Sequence, residues 1–180
     1  MTTTTAHYPH AQAFNTTGLY NTDGKIRTYS GRFIDPFNPE PSDIRIEDIA
    51  HALSLQCRFA GHTKRHYSVA QHCLTVVGLV PKWDKLAALM HDASEAYLLD
   101  VPTPIKHRIP GYVEAENKLM KVIAERFGFA WPMPNSVKIA DKYMLEWEWN
   151  AAVLNPYSGA LTPEEAERKF ISLFEWLYKG

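Results

Sequence analysis

The sequence predicts an all-α domain, and three observations carry that reading. Apolar residues recur at helical spacing in six separate segments, start and stop signals flank most of those segments, and β-formers gather only at 25–35. Residues 1–24 show no period and read as a loose lead-in; residues 25–180 read as one domain, entered by a short extended piece. Pro36, Pro39 and Pro41 punctuate the loop that follows. Ser42 or Asp43 then caps a first helix with Ile46, Ile49, Ala50 and Leu53 on one face. Ser68 caps a second, with Val69, Val76, Val77 and Val80 inward, which ends before Pro81. A third runs over 84–97, with Leu86, Leu89, Met90, Ala93 and Ala96 as its apolar face, and Pro102, Pro104 and Pro110 make the next stretch a rigid loop. A fourth spans 112–127 and stops at Gly128; a fifth starts near Asn135 and carries Val137, Ala140, Met144 and Leu145. Thr162-Pro163-Glu164-Glu165 opens the last, joining a cap, a first-turn proline and acids at the positive end of the helix dipole; its core face is Ala166, Phe170, Leu173 and Leu177.

Composition narrows the function classes. The 180 residues hold 19 Lys plus Arg against 20 Asp plus Glu, a formal charge of −1, which argues against a nucleic-acid polymer as partner. No run approaches the ~18 apolar residues of a membrane span. The N-terminus lacks a basic start followed by an apolar run, so no secretory signal is read. The two cysteines, Cys57 and Cys73, cannot form a disulfide scaffold, and a reducing cytoplasmic location is the expectation. The notable excess is eight histidines.

Chemistry concentrates in Met90-His91-Asp92-Ala93-Ser94-Glu95. On a continuous helix, Glu95 shares a side with His91 and Asp92, and the frame around all three is apolar. Polar groups in such a frame are costly unless paired or ligated. His72 and Asp141 sit mid-helix in similar frames. Each alone reads as a satisfied core residue. Together they make a mixed nitrogen and oxygen shell suited to one divalent ion such as Mn, Co, Ni, Zn or Fe. A metal in that shell lowers the pKa of bound water and supplies a nucleophile near neutral pH. Gly61-His62-Thr63-Lys64-Arg65-His66 reads either as a phosphate-gripping lid, with His62, Lys64 and His66 as contacts, or as a solvated loop. Met144, Trp147 and Trp149 form an aromatic patch, read as core or subunit interface.

The ordered set His72, His91-Asp92 and Asp141, with Ser68-Val69-Ala70-Gln71-His72 before it and Asp100-Val101-Pro102-Thr103-Pro104-Ile105-Lys106 within it, resembles the HD-domain phosphohydrolases. The similarity is to small bacterial 5′-deoxynucleotidases and to phage and prophage HD hydrolases, dATP triphosphohydrolases among them, and covers about 42–150. The resemblance implies a single-domain HD-type helical bundle in which His72, His91, Asp92 and Asp141 ligate the metal. It makes Glu95 the acid/base group, places Asp100 near the sugar and turns Lys106 to phosphate. It assigns Arg58 and the aromatic Phe59 to phosphate and to sugar or base; relatives carry Trp where Phe59 stands. The implied reaction is attack of metal-bound water on the α-phosphorus of a deoxynucleotide. A deoxynucleoside monophosphate is the first expectation, a deoxynucleoside triphosphate releasing tripolyphosphate the second, and a non-catalytic nucleotide-binding module the third. A homo-oligomer is the expected assembly.

Overall fold

The structure is a computed structural model that describes residues 24–179, so the expected lead-in lies, Gly24 apart, outside the described residues. It is predominantly helical. A small hairpin, β1 (Ile26–Arg27) and β2 (Phe33–Ile34), pairs antiparallel with Ile26 opposite Ile34. Eight helices follow among the described residues: α1 (Ile46–Leu55), α2 (Val69–Val77), α3 (Lys85–Leu89), α4 (Glu95–Leu98), α5 (Thr103–Lys106), α6 (Tyr112–Phe127), α7 (Asn135–Glu148) and α8 (Pro163–Lys179).

The count exceeds six for two reasons. The expected helix at 84–97 breaks at Met90–Ser94 into α3 and α4, and the proline-rich stretch closes one short turn, α5. Pro102 and Pro104 still fit, because the first turn of a helix has no use for their missing N–H groups. At α1 neither Ser42 nor Asp43 caps the helix. Both lie in a separate 3-10 turn over Pro41–Asp43, and extended Arg45 leads into α1 without a side-chain cap. The other expected caps form. The Gln71 N–H donates to Ser68 Oγ (3.1 Å). Thr162 and Glu165 exchange bonds of 3.2 and 3.0 Å at the start of α8, a reciprocal capping box. Gly128 takes φ 72° behind α6.

The core lies where α1, α2 and α3 pack on α8, with α7 against α2. Ile49, Leu53, Val76, Leu89, Leu119 and Phe170 are fully enclosed there. Each stabilises the fold by about 1.5–3 kcal/mol through removal from water. On α8 the buried line is Ala166, Phe170 and Phe174, while Leu173 and Leu177 flank it half-buried. Leu145, expected inward on α7, is exposed at the mouth of a cleft instead. No helix among the described residues is long and apolar enough to cross a membrane.

Candidate metal centre and its cleft

Three parts of the chain bring four side chains together. α2 supplies His72, the break between α3 and α4 supplies His91 and Asp92, and α7 supplies Asp141. His72 Nε2 lies 3.1 Å from His91 Nε2 and 3.0 Å from Asp141 Oδ1. Asp92 Oδ2 lies 3.2 Å from His91 Nε2 and 3.6 Å from His72 Nε2, and His91 Nε2 lies 3.7 Å from Asp141 Oδ1. Bonds near 2.1 Å to a common cation place its ligand atoms roughly 3.0–3.5 Å apart.

Both imidazoles have their other nitrogen committed. His72 Nδ1–H donates to Glu148 Oε1 (2.7 Å), and His91 Nδ1–H donates to the Ala88 carbonyl (2.7 Å). Those partners only accept, so the two Nε2 lone pairs face one another at 3.1 Å, an arrangement that needs positive charge between them. The surrounding charges agree. Burial opposes ionisation throughout, yet Asp92 pushes His91 well above its ordinary value, His91 and His72 hold Asp92 down to about 2, and the same imidazoles hold Asp141 lower still. This donor set can hold a metal ion. Cys73 also approaches His91 and Asp92, but burial drives its thiol up to about 11, and a protonated thiol is a poor ligand.

A cleft of about 800 Å³ opens over the cluster, lined by Arg58, Phe59, Asp92, Glu95, Asp100, Lys106 and Asp141 together with Leu145 and Trp149. Glu95 is buried and its Oε2 has no hydrogen-bond partner. Burial, then the charges of Asp92 and Asp100, raise its carboxyl well above the ordinary range. Burial raises Asp100 as well. Lys106 Nζ donates to Glu116 Oε1 (2.6 Å) and stands 3.8 Å from Glu95. Burial works against the Arg58 charge, but Glu148 and Asp92 outweigh it and keep the guanidinium ionised.

No family model matches the chain. The uncharacterized protein YfdR of Escherichia coli (strain K12) is 46% identical over 125 residues, which are 68% of this chain and 69% of YfdR. The chain belongs to the YfdR family. An uncharacterized protein of Rhodobacter capsulatus is 42% identical over 127 residues, 64% of each chain.

In this YfdR-family chain most of the expected site residues gather at one place, but three do not. His62 and Lys64 are exposed outside the cleft, and His66 Nε2–H donates to the Ser54 carbonyl (3.1 Å) on α1. The Lys64 N–H donates to the Ala152 carbonyl (2.9 Å), and neither residue lines the cleft. The site also holds residues that the sequence reading missed. Glu148 is fully buried and accepts from His72, from Tyr67 OH (2.9 Å) and from Arg58 Nε (3.0 Å). Its signal was available: it lies two helical turns after Asp141 and one after Met144, on the inward face of α7. Gln56 holds both ends of the α4 segment, donating to the Glu95 carbonyl (2.9 Å) and accepting from the Asp100 N–H (3.1 Å). Trp149, read as core or interface, is half-exposed in the cleft and meets Phe59 edge-to-face at 5.8 Å. Phe59, Ala60 and Leu99 take positive φ (55°, 52° and 71°) on the two rims of the cleft. Such backbone strain collects at functional sites.

Proposed function

We propose that this protein is a metal-dependent phosphohydrolase of the HD-domain type that cleaves deoxynucleotides at the α-phosphorus. The observation that carries the proposal is the meeting of two imidazole Nε2 atoms and two carboxylates at the edge of a cleft that also holds the buried Glu95, whose Oε2 has no hydrogen-bond partner. His72, His91, Asp92 and Asp141 would hold one divalent ion, with Mn, Co, Ni, Zn and Fe suited to the donor set. Such an ion supplies Lewis-acid polarisation of the phosphoryl group and lowers the pKa of water.

The chain's own groups supply the rest. Water forms a bond to the α-phosphorus as the bond from phosphorus to the 5′-oxygen breaks. Glu95 gives its proton to that oxygen and regains one from the attacking water. Arg58, kept ionised by Glu148, and Lys106 neutralise the phosphoryl oxygens. Phe59 and Trp149 offer faces for a base, and Asp100 an acceptor for a sugar hydroxyl. The step is the same for a mono- and a triphosphate. The likeness of the Asp100 to Lys106 loop to that of the 5′-deoxynucleotidases puts the monophosphate first.

A turnover panel tests the proposal: every dNMP, NMP, dNTP and NTP with Mn, Co, Ni, Zn and Mg, products separated as phosphate, pyrophosphate or tripolyphosphate. Deoxynucleoside release with a transition metal is expected. No release from any substrate with any metal would overturn the reading in favour of a nucleotide-binding module.

A further inference from the structure

The turn from Glu95 to Asp100 carries two of the cleft's carboxyls, with a strained main chain between them. Leu99 takes φ 71° and ψ 154°, a region that glycine alone visits without strain. Its side chain is 63% exposed, so burial does not offset that conformation. Bonds to the main chain hold it instead. The Gln56 side chain donates to the Glu95 carbonyl (2.9 Å) and accepts from the Asp100 N–H (3.1 Å). Tyr112 OH lies 2.9 and 2.7 Å from the Leu98 and Leu99 carbonyls and donates its one proton between them. Gln56 is itself fixed at the end of α1. Its N–H donates to the Ala52 carbonyl (3.1 Å), and its carbonyl accepts from the Val69 N–H (3.0 Å) at the start of α2. One residue thus ties the turn to the helix that carries His72.

Resting on the reading above, we infer that Gln56 is a positioning residue: it holds the strained turn at Leu99 so that Glu95 and Asp100 are presented to the cleft in one fixed register. Gln56 itself does not line the cleft and acts only through the turn. Glu95 depends on this hold. Its Oε2 has no hydrogen-bond partner and its Oε1 stands 3.8 Å from Lys106, so the main chain sets where the carboxyl sits. Asp100 follows the strained residue directly, and the Val101 N–H folds back to the Leu99 carbonyl (3.0 Å) around it. Tyr112 secures only the carbonyls of Leu98 and Leu99. Gln56 secures one group on each side of the strained residue, and the register between the two carboxyls is its part. Without its amide, Leu99 relaxes towards negative φ, and rotation there swings Asp100 away from Glu95. A misplacement of about 1 Å costs roughly 10²-fold in rate. Glu95 then no longer reaches the 5′-oxygen while Asp100 meets the sugar.

The test has two arms on the full chain. In the first, Gln56→Met keeps the length of the side chain and removes both of its bonds. With metal retained by elemental analysis, deoxynucleotide kcat should fall about 10–100-fold. Leu99→Gly added to that variant should recover most of the loss, because glycine takes the same φ and ψ without strain and the turn no longer pulls against its missing clamp. A lowered Tm with kcat unchanged would make Gln56 merely structural and overturns the proposal. A loss that Leu99→Gly leaves unrepaired overturns it too. The second arm, amide hydrogen exchange, needs no turnover. The Asp100 N–H should exchange about tenfold faster in Gln56→Met while the amides of α2 keep their protection. Unchanged exchange at Asp100 overturns the clamp. If the wild type hydrolyses no nucleotide, the parent reading falls, and the exchange result alone decides whether Gln56 holds the turn.

Discussion

Replacing Glu148 with Gln keeps the side chain's volume and removes its charge. The carboxylate is fully buried and accepts from three donors: His72 Nδ1 at 2.7 Å, Tyr67 OH at 2.9 Å and Arg58 Nε at 3.0 Å. His72 and Tyr67 share Oε1, and Arg58 uses Oε2. A glutamine whose oxygen serves the first pair turns its NH2 towards Arg58, donor against donor. The lost charge-assisted bond costs about 1.5–3 kcal/mol, and a buried ion left without its partner costs about 3–5 kcal/mol. Glu148→Gln should therefore destabilise the protein by about 2–4 kcal/mol. With a urea slope near 2 kcal/mol/M, the midpoint falls by about 1–2 M. The pH dependence has a definite sign. Burial opposes the Glu148 charge, but His72, Arg58 and Tyr67 together hold its carboxyl below the ordinary glutamate value of 4.5. Its stabilisation is thus complete above that value and is lost as pH falls through the folded-state value, so the variant's deficit should shrink in acid. Metal affinity, read by titration, should fall about 10–100-fold because His72 loses the anion that orients it. Tyr67→Phe removes one donor of the three and should cost only about 1 kcal/mol. A midpoint shift below about 0.3 M in Glu148→Gln, with metal affinity intact, would refute the reasoning.

Three further variants test the same geometry. Glu95→Gln should keep the metal and lose about 10²–10⁴ of turnover, read as product release at saturating substrate. In metal-free protein the same variant should be more stable than wild type at neutral pH. The folded-state carboxyl lies above the ordinary glutamate value of 4.5, so ionising it opposes folding as pH rises from that value, and the variant's advantage should fade in acid. His91→Ala should leave purified protein without stoichiometric metal by elemental analysis; full occupancy would remove His91 from the ligand set. Trp149→Ala should raise KM for nucleotides about 5–100-fold while kcat changes little, the expected loss of one stacking face; an unchanged KM would return Trp149 to a purely structural role.

The sequence made the longer elements legible because periodicity and punctuation agreed. Helix α6 ends at Gly128 and α8 begins at the Thr162 cap, as the residues require. Short elements escaped. Four-residue α5 has too few positions for a period to show, and three prolines masked it. Side-chain partners of distant residues escaped too. Nothing local says that Lys64 is tied to Ala152 or His66 to Ser54, and none of the four lines the cleft. Glu148 shows a different limit. Its position on the inward face of α7 was readable, but its neighbours Trp147 and Trp149 suggested an aromatic patch, and the three donors it serves come from 76 to 90 residues away.

The expected helix at 84–97 fails at the point where the site needs it to fail. On an unbroken helix, neighbouring residues project about 100° apart, so His91 and Asp92 would diverge. In the structure the chain leaves helical geometry after Leu89. It then makes tighter turns in which the Ala93 N–H donates to Met90 (3.0 Å) and the Glu95 N–H to Asp92 (2.9 Å). The change brings His91 Nε2 and Asp92 Oδ2 within 3.2 Å. Such a break orphans a carbonyl, because an unbroken helix would give the Ala88 oxygen to the Asp92 N–H. His91 Nδ1–H takes that oxygen at 2.7 Å. One hydrogen bond therefore closes α3, fixes the tautomer of His91 and aims its free nitrogen at His72. Gln56 secures the far end by binding the Glu95 carbonyl and the Asp100 N–H. The apolar spacing that predicted a continuous helix survives because Ala87, Leu89, Met90 and Ala93 still face the core on both sides of the break. The pattern of burial is nearly the same for the broken and the unbroken chain, and only the polar residues between the apolar ones distinguish them.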